Sequence, residues 1–188
     1  MRTSHGPLRA IAIGVVVSAV ALVANDGNAA SAMKIASTSF ANGATIPSIY
    51  TCEGKGVSPP LEWADPPNGT KSFAIIVDDP DSPDPKAPVR SWVHWVIYDL
   101  PASTRALDEA VQTLPPGAVQ GKNDRHQASY APFCPVIGQH RYFFKLYALD
   151  VVLPASLGAA TKDELENAMK GHVLESAELF GVYAMRAP

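Results

Sequence analysis

The chain is poor in the features that announce a particular chemistry. Its 188 residues include only two cysteines, Cys52 and Cys134, and no C-x-x-C pair, which excludes a thioredoxin-like redox motif and the cysteine clusters of structural zinc sites. There is no G-x-S-x-G turn, no H-E-x-x-H and no G-x-x-x-x-G-K, so nothing marks a serine nucleophile, a zinc protease helix or a phosphate-cradling loop. Charged residues make up 18% of the chain and the formal net charge is −3. That balance excludes a general nucleic-acid footprint, which needs many clustered Lys and Arg. From Lys34 onward no segment is repetitive, low in complexity or a Gly/Ser linker, which predicts a single domain.

Long apolar runs are also scarce. The one such run, Ala10 to Ala24, falls short of the roughly 20 residues that a spanning helix needs. It follows Arg2 and Arg9 and precedes Ala30-Ser31-Ala32, the small-x-small pattern at which export leaders are cut. The expectation is therefore a leader over residues 1–32, cleaved after Ala32, and a mature domain over 33–188. Such a protein is periplasmic or secreted and has no stable membrane insertion after cleavage. Removing Arg2, Arg9 and Asp26 from the 15 basic and 18 acidic residues moves the formal charge from −3 to −4. Export to an oxidising compartment makes a Cys52–Cys134 disulfide reasonable, with two buried free thiols as the alternative. A bridge between them would contribute about 4 kcal/mol in the chain-entropy view.

Proline is abundant. The 17 prolines gather in turns such as Ser58-Pro59-Pro60, Asp65-Pro66-Pro67, Asp79 to Pro88 and Leu114-Pro115-Pro116. They cut the chain into segments too brief for helices and point to a mainly β fold. Between them, Ser72 to Asp78, Trp92 to Leu100 and Arg141 to Asp150 are apolar, β-branched and aromatic runs that predict strands. Alternation in the second places Trp92, His94, Val96 and Tyr98 on one face and Val93, Trp95 and Ile97 on the other. Both faces are apolar, so the sheet should be covered on both sides. One helix is predicted from Thr161, where Thr161 and Glu164 form a capping-box pattern and Leu165, Ala168 and Met169 follow at helical spacing. Gly171 should end or kink it, with helical character resuming over 172–179 and a closing strand over 180–185.

The candidate functional residues sit at strand ends. Asp79 and Asp81 follow a strand directly, in a proline-stiffened loop; the same residues also make good turn chemistry. His94 lies inside an apolar strand, where an unpaired imidazole is costly, and an Asp from the preceding loop is the partner at hand. His140 enters the third strand after Gly138, whose small size allows close backbone approach to a ligand, and His140, Tyr142 and Phe144 share a face. Two Asp and two His could also hold a divalent metal, which keeps a metal-assisted hydrolase open as an alternative. His126 and His172 read as ordinary exposed residues, with His172 on the helix.

These residues, in order, form a recognisable set: Asp79-Pro80-Asp81-Ser82-Pro83, Trp92-x-His94 and Gly138-x-His140-Arg141-Tyr142. Together with Tyr50-Thr51-Cys52-Glu53-Gly54, Ser58 to Trp63 and Tyr147 to Asp150, they give the chain a pattern that resembles the phosphatidylethanolamine-binding protein family, in its bacterial Raf-kinase-inhibitor-like subgroup. The resemblance spans roughly Phe40 to Tyr183. It implies an antiparallel β-sandwich with short C-terminal helices and a pocket at one end lined by Asp79, Asp81, Pro83, Trp92, His94, His140 and Tyr142. It further implies a small anionic ligand or phospholipid head group, a possible protein partner, no cofactor and no enzymatic role. A kinase- or protease-inhibitor-like interaction protein is a further alternative. One wall departs from the family pattern. Where relatives commonly carry Gly-Pro-x-Pro-Pro, this chain has Ala131-Pro132-Phe133-Cys134-Pro135-Val136, and the bulkier Phe133 and Val136 are expected to narrow the pocket. Since carboxylates repel phosphate, Asp79 and Asp81 are expected to orient the imidazoles and raise their pKa, or to meet an ammonium, while His94 and His140 face the anion.

Overall fold

The three apolar runs bounded by proline turns form the middle of the larger of two antiparallel sheets. A computed structural model describes residues 1–2 and 32–186, so the expected leader lies almost wholly outside the described residues. The strands are β1 (Lys34–Ala36), β2 (Leu61–Ala64), β3 (Ser72–Asp79), β4 (Trp92–Pro101), β5 (Ala106–Leu107), β6 (Val119–Gln120), β7 (Gln139–Leu149) and β8 (Val173–Ala184), with helix α1 at Lys162–Met169. The larger sheet runs β6-β4-β3-β7-β8 and the smaller β1-β2-β5. This is the mainly β, two-sheet sandwich expected.

All eight residues of β3 are buried, because each of its faces meets a separate core. Phe73, Ile75 and Val77 join Trp95, Ile97 and Phe144 against Leu61 and Trp63 of the small sheet. Ala74 and Ile76 join Val96, Tyr98 and Leu149 beneath Leu165 and Met169 of α1. A strand covered on both faces reads as a continuous apolar run, and β3 does so until its two terminal carboxylates. The helix begins as predicted. Glu164 Oε2 accepts from Thr161 N–H at 2.8 Å, and Thr161 Oγ1 accepts from the Glu164 N–H at 3.4 Å, satisfying donors that the first turn leaves free.

Two local expectations are corrected. Residues 172–179 are not helical: β8 pairs with β7 from Leu149↔Val173 to Gln139↔Ala184, with one register shift between Leu149 and Ala148. Gly171, at φ +80°, turns the chain back, and the open edge of β7 outweighs helix preferences of a few tenths of a kcal/mol per residue. The strict alternation in β4 also fails. Val77 pairs with Trp95 but Asp78 pairs with Val93, so β4 carries one extra residue there. Such a bulge lets neighbouring side chains change face. His94 consequently meets Phe133 at 4.9 Å and Tyr142 at 5.4 Å between ring centroids, on the Trp95 side, while Val93 packs with Val96 and Tyr98.

Candidate functional site

At the end of the sandwich where β3 leaves the sheet, a cavity of about 400 Å³ opens to solvent. Five of the expected residues line it: Asp79, Pro83, Trp92, His94 and His140. Asp79 and Trp92 are register partners at the ends of β3 and β4, and His140 is the second residue of β7, next to β3. Antiparallel pairing therefore brings together residues far apart in the chain.

The pairings differ from those expected. Asp79 holds His140, not His94, with Oδ2 at 2.7 Å from Nδ1. The other nitrogen, Nε2, lies 3.0 Å from the Ile137 carbonyl oxygen. That oxygen can only accept, so Nε2 carries a proton, and the Nδ1–Oδ2 contact holds one proton between the two groups. Whether that proton sits on imidazole or carboxyl, the pair has no net charge. Burial pushes the Asp79 carboxyl up, against hydrogen bonds from His140 and the Asp81 N–H. Asp79 thus does not stand in the pocket as a bare negative charge.

Asp81 lies outside the lining. Its carboxylate accepts from Arg141 Nε at 2.9 Å, Nη2 at 2.7 Å and the Arg141 backbone N–H at 2.9 Å. The Arg141 fork holds the Asp81 carboxyl below the usual carboxylate range, opposed by burial. Its role is to tie the loop after β3 to the start of β7. Tyr142 also lies behind the wall, with its ring 4.0 Å from that of Phe133 and its buried hydroxyl unpartnered. Burial, then the charges of Asp79 and Asp81, push that hydroxyl far up. Gly138, at φ +73°, makes room for Pro85, whose Cγ would lie 3.2 Å from an added Cβ.

His94 has an unusual environment. It is 4% exposed, and its Nδ1 lies 2.9 Å from the Ala131 carbonyl oxygen, which obliges Nδ1 to donate. Burial lowers its pKa to about 4, partly offset by that hydrogen bond, with the charge of Arg125 lowering it further. At neutral pH the ring is uncharged, so the structure overturns the expected rise. Its Nε2 is then a bare acceptor, and it has no hydrogen-bond partner.

The sequence reading did not name Ser82 or Arg125 among the lining residues, whereas Pro132, Cys134 and Val136 come from the wall it expected over 131–136. Arg125 matters most. It makes no ion pair among the described residues, whereas its neighbour Asp124 lies 3.9 Å from Arg90, whose guanidinium stacks 4.3 Å over Trp92. The loop carrying Arg125 is wound on the buried Asn123: Oδ1 accepts from Arg125 N–H at 2.9 Å and Gln127 N–H at 3.1 Å, and Nδ2 donates to Ser129 O at 2.8 Å. Asn followed by Asp in a polar stretch was the available signal for such a side-chain-built turn. Cys134 is bonded to Cys52, which fastens the Pro132–Val136 wall to the turn after Tyr50. Phe133 is fully buried behind that wall, and Val136 is 83% exposed at the rim; only Val136 narrows the opening.

Among the described residues no three His, Cys, Asp or Glu side chains converge where they could hold a metal ion. His140 has both nitrogens engaged and Asp81 is committed to Arg141, so the expected alternative of two Asp and two His around one ion has no geometric support. His126 is exposed, as expected. His172 follows α1 instead of lying on it, and its Nδ1 is 2.9 Å from Asp150 Oδ1.

The profile of the phosphatidylethanolamine-binding protein family matches residues 36–184. This chain belongs to that family. A UPF0098 protein of Methanothermobacter thermautotrophicus is 47% identical over 154 residues, covering 80% of this chain and 98% of the relative. Among solved structures, a phosphatidylethanolamine-binding protein homologue from Chlamydia trachomatis is similar, with 42% identity and a TM-score of 0.76 over 82% of this chain and 99% of that one. So is YbcL of Escherichia coli, described as a member of the mammalian family, at 29% identity and a TM-score of 0.74 over 83% of this chain and 100% of that one. The two solved structures are named for the family, and none of the three relatives is named as an enzyme.

Proposed function

We propose that this chain is an exported binding protein whose pocket captures a small anion, a phosphate or the phosphate of a phospholipid head group, and that it acts by capture without catalysis. The observation that carries this reading is the charge balance of the cavity. Asp79 is cancelled by His140, His94 is neutral, and Arg125 is a lining cation without a carboxylate partner among the described residues. A concave site with apolar walls at Pro83, Trp92, Pro132 and Val136 and one unspent positive charge suits a ligand that is small, anionic and attached to something apolar. The family's name for phosphatidylethanolamine binding supports the same ligand class.

The experiment is calorimetric titration of the protein with inorganic phosphate and with phosphorylethanolamine, in a buffer free of phosphate and acetate. Saturable one-to-one binding is expected, and it should weaken at least tenfold in Arg125→Ala. Binding that is equal in wild type and in an Arg125→Ala, His94→Gln double variant would place the ligand elsewhere. Export belongs to the same proposal. Protein recovered from the periplasm or medium should begin at Met33 on N-terminal sequencing, and recovery of a chain beginning at Met1 would refute the leader.

A further inference from the structure

The pocket's hydrogen-bonding chemistry is more specific than its charge. His94 spends its only proton on the Ala131 carbonyl, which leaves Nε2 as a buried lone pair with no partner. His140 cannot serve as a donor to a ligand either, because Nε2–H is spent on the Ile137 carbonyl and Nδ1 faces Asp79. Pro83 and Pro132 have no N–H to offer. The inner wall therefore asks for a donor, while Arg125 at the same cavity asks for negative charge. A ligand answers both only if it is an anion that carries its own proton.

We propose that the pocket selects oxyanions bearing a hydroxyl, such as hydrogen phosphate, over oxyanions of the same shape that bear none, such as sulfate. His94 Nε2 accepts the hydrogen bond from the ligand's hydroxyl, and Arg125 meets its charge. An unprotonated oxyanion would place lone pair against lone pair inside a buried wall, an arrangement that costs far more than a missing contact at a wet surface. The alternative route, protonation of His94 to meet sulfate, is opposed by the burial of the ring and by the charges of Arg125 and His140 acting on it, and is favoured by the hydrogen bond to the Ala131 carbonyl and, less, by Asp78. Sites built around one obligatory hydrogen bond reject the analogue lacking it by large factors.

This inference rests on the reading of the cavity as an anion site, and one experiment separates the two. Titrating the full protein at pH 7 with inorganic phosphate and then with sulfate should show phosphate binding and sulfate weaker by at least about 100-fold. Sulfate binding within threefold of phosphate would overturn the selectivity and leave the anion site standing. So would sulfate binding accompanied by uptake of one proton, read from titrations in buffers of different ionisation heat. Failure of both anions to bind at millimolar concentration would overturn both. In His94→Gln, whose amide can present an N–H to the cavity, the phosphate-to-sulfate ratio should collapse towards unity. If that variant does not fold by thermal melt, the wild-type ratio alone decides.

Discussion

Asp78 and Asp79 are consecutive residues of β3, both buried, and they have opposite fates. Asp78 faces the helix side, where Lys145 lies 2.9 Å from Oδ2 and Lys162 of α1 is also hydrogen-bonded to it. Burial works to raise its pKa, but the hydrogen bonds and charges of the two lysines hold the carboxyl below the ordinary range. Asp79 faces the cavity, shares a proton with His140 and helps form a wall with unused hydrogen-bonding capacity. The lesson is that burial of a carboxylate does not mark a functional site by itself. What distinguishes the cavity side is open space, with the partnerless His94 on its lining.

The largest effect on stability is expected at the disulfide, which braces the cavity side. A Cys52→Ser, Cys134→Ser variant loses closure of an 82-residue separation and should be less stable by about 4 kcal/mol in urea unfolding. Its phosphate affinity should fall as the Pro132–Val136 wall loosens; unchanged affinity would show that the wall needs no covalent brace.

Replacing Asp78 with Asn should cost about 3 kcal/mol, because it removes the hydrogen-bonded counter-charge of Lys145 and leaves Lys162 only Glu166, 3.8 Å away. The folded fraction should bind phosphate as the wild type does. A loss of affinity much larger than the loss of stability would mean that the two faces of β3 are coupled.

The neutral state of His94 gives a pH signature. Its folded pKa of about 4 lies below the ordinary 6.5 of a histidine. The native state therefore binds fewer protons than the unfolded chain between these values. Stability contributed above pH 6.5 is lost as pH falls towards 4, by about 3 kcal/mol for this group alone. His94→Phe should unfold with a shallower acid slope than wild type over that window, and equal slopes would place the imidazole's pKa near its ordinary value.

The smallest effect on stability is expected at Arg125, an exposed side chain with no ion pair among the described residues. Arg125→Ala should shift the urea midpoint by an amount corresponding to less than about 0.5 kcal/mol. It should nevertheless weaken phosphate binding tenfold or more. A variant that lost stability and kept affinity would reverse the assignment.

Much of this was legible in advance, for local reasons. Strands β3, β4 and β7 announce themselves because proline turns bracket apolar runs, and α1 because Thr161 and Glu164 satisfy its first turn within four residues. The start of β8 was not legible, since Leu174, Glu175, Ala177 and Glu178 have helix preferences that only pairing with β7 overrides. Arg125 was hidden because a loop residue has no periodicity to place it, and its position depends on a turn wound around buried Asn123.

What the sequence determined by itself is the mainly β class, the family and five of the residues that line the cavity, Asp79, Pro83, Trp92, His94 and His140, because these depend on residue types in order along the chain. Which aspartate serves which partner was decided by the tertiary structure. A one-residue bulge turns His94 towards Phe133 and Tyr142, the register of β3 against β7 delivers His140 to Asp79, and the start of β7 delivers Arg141 to Asp81. Those are distances between segments some 60 residues apart, fixed by sheet register and bulge, which no local pattern encodes.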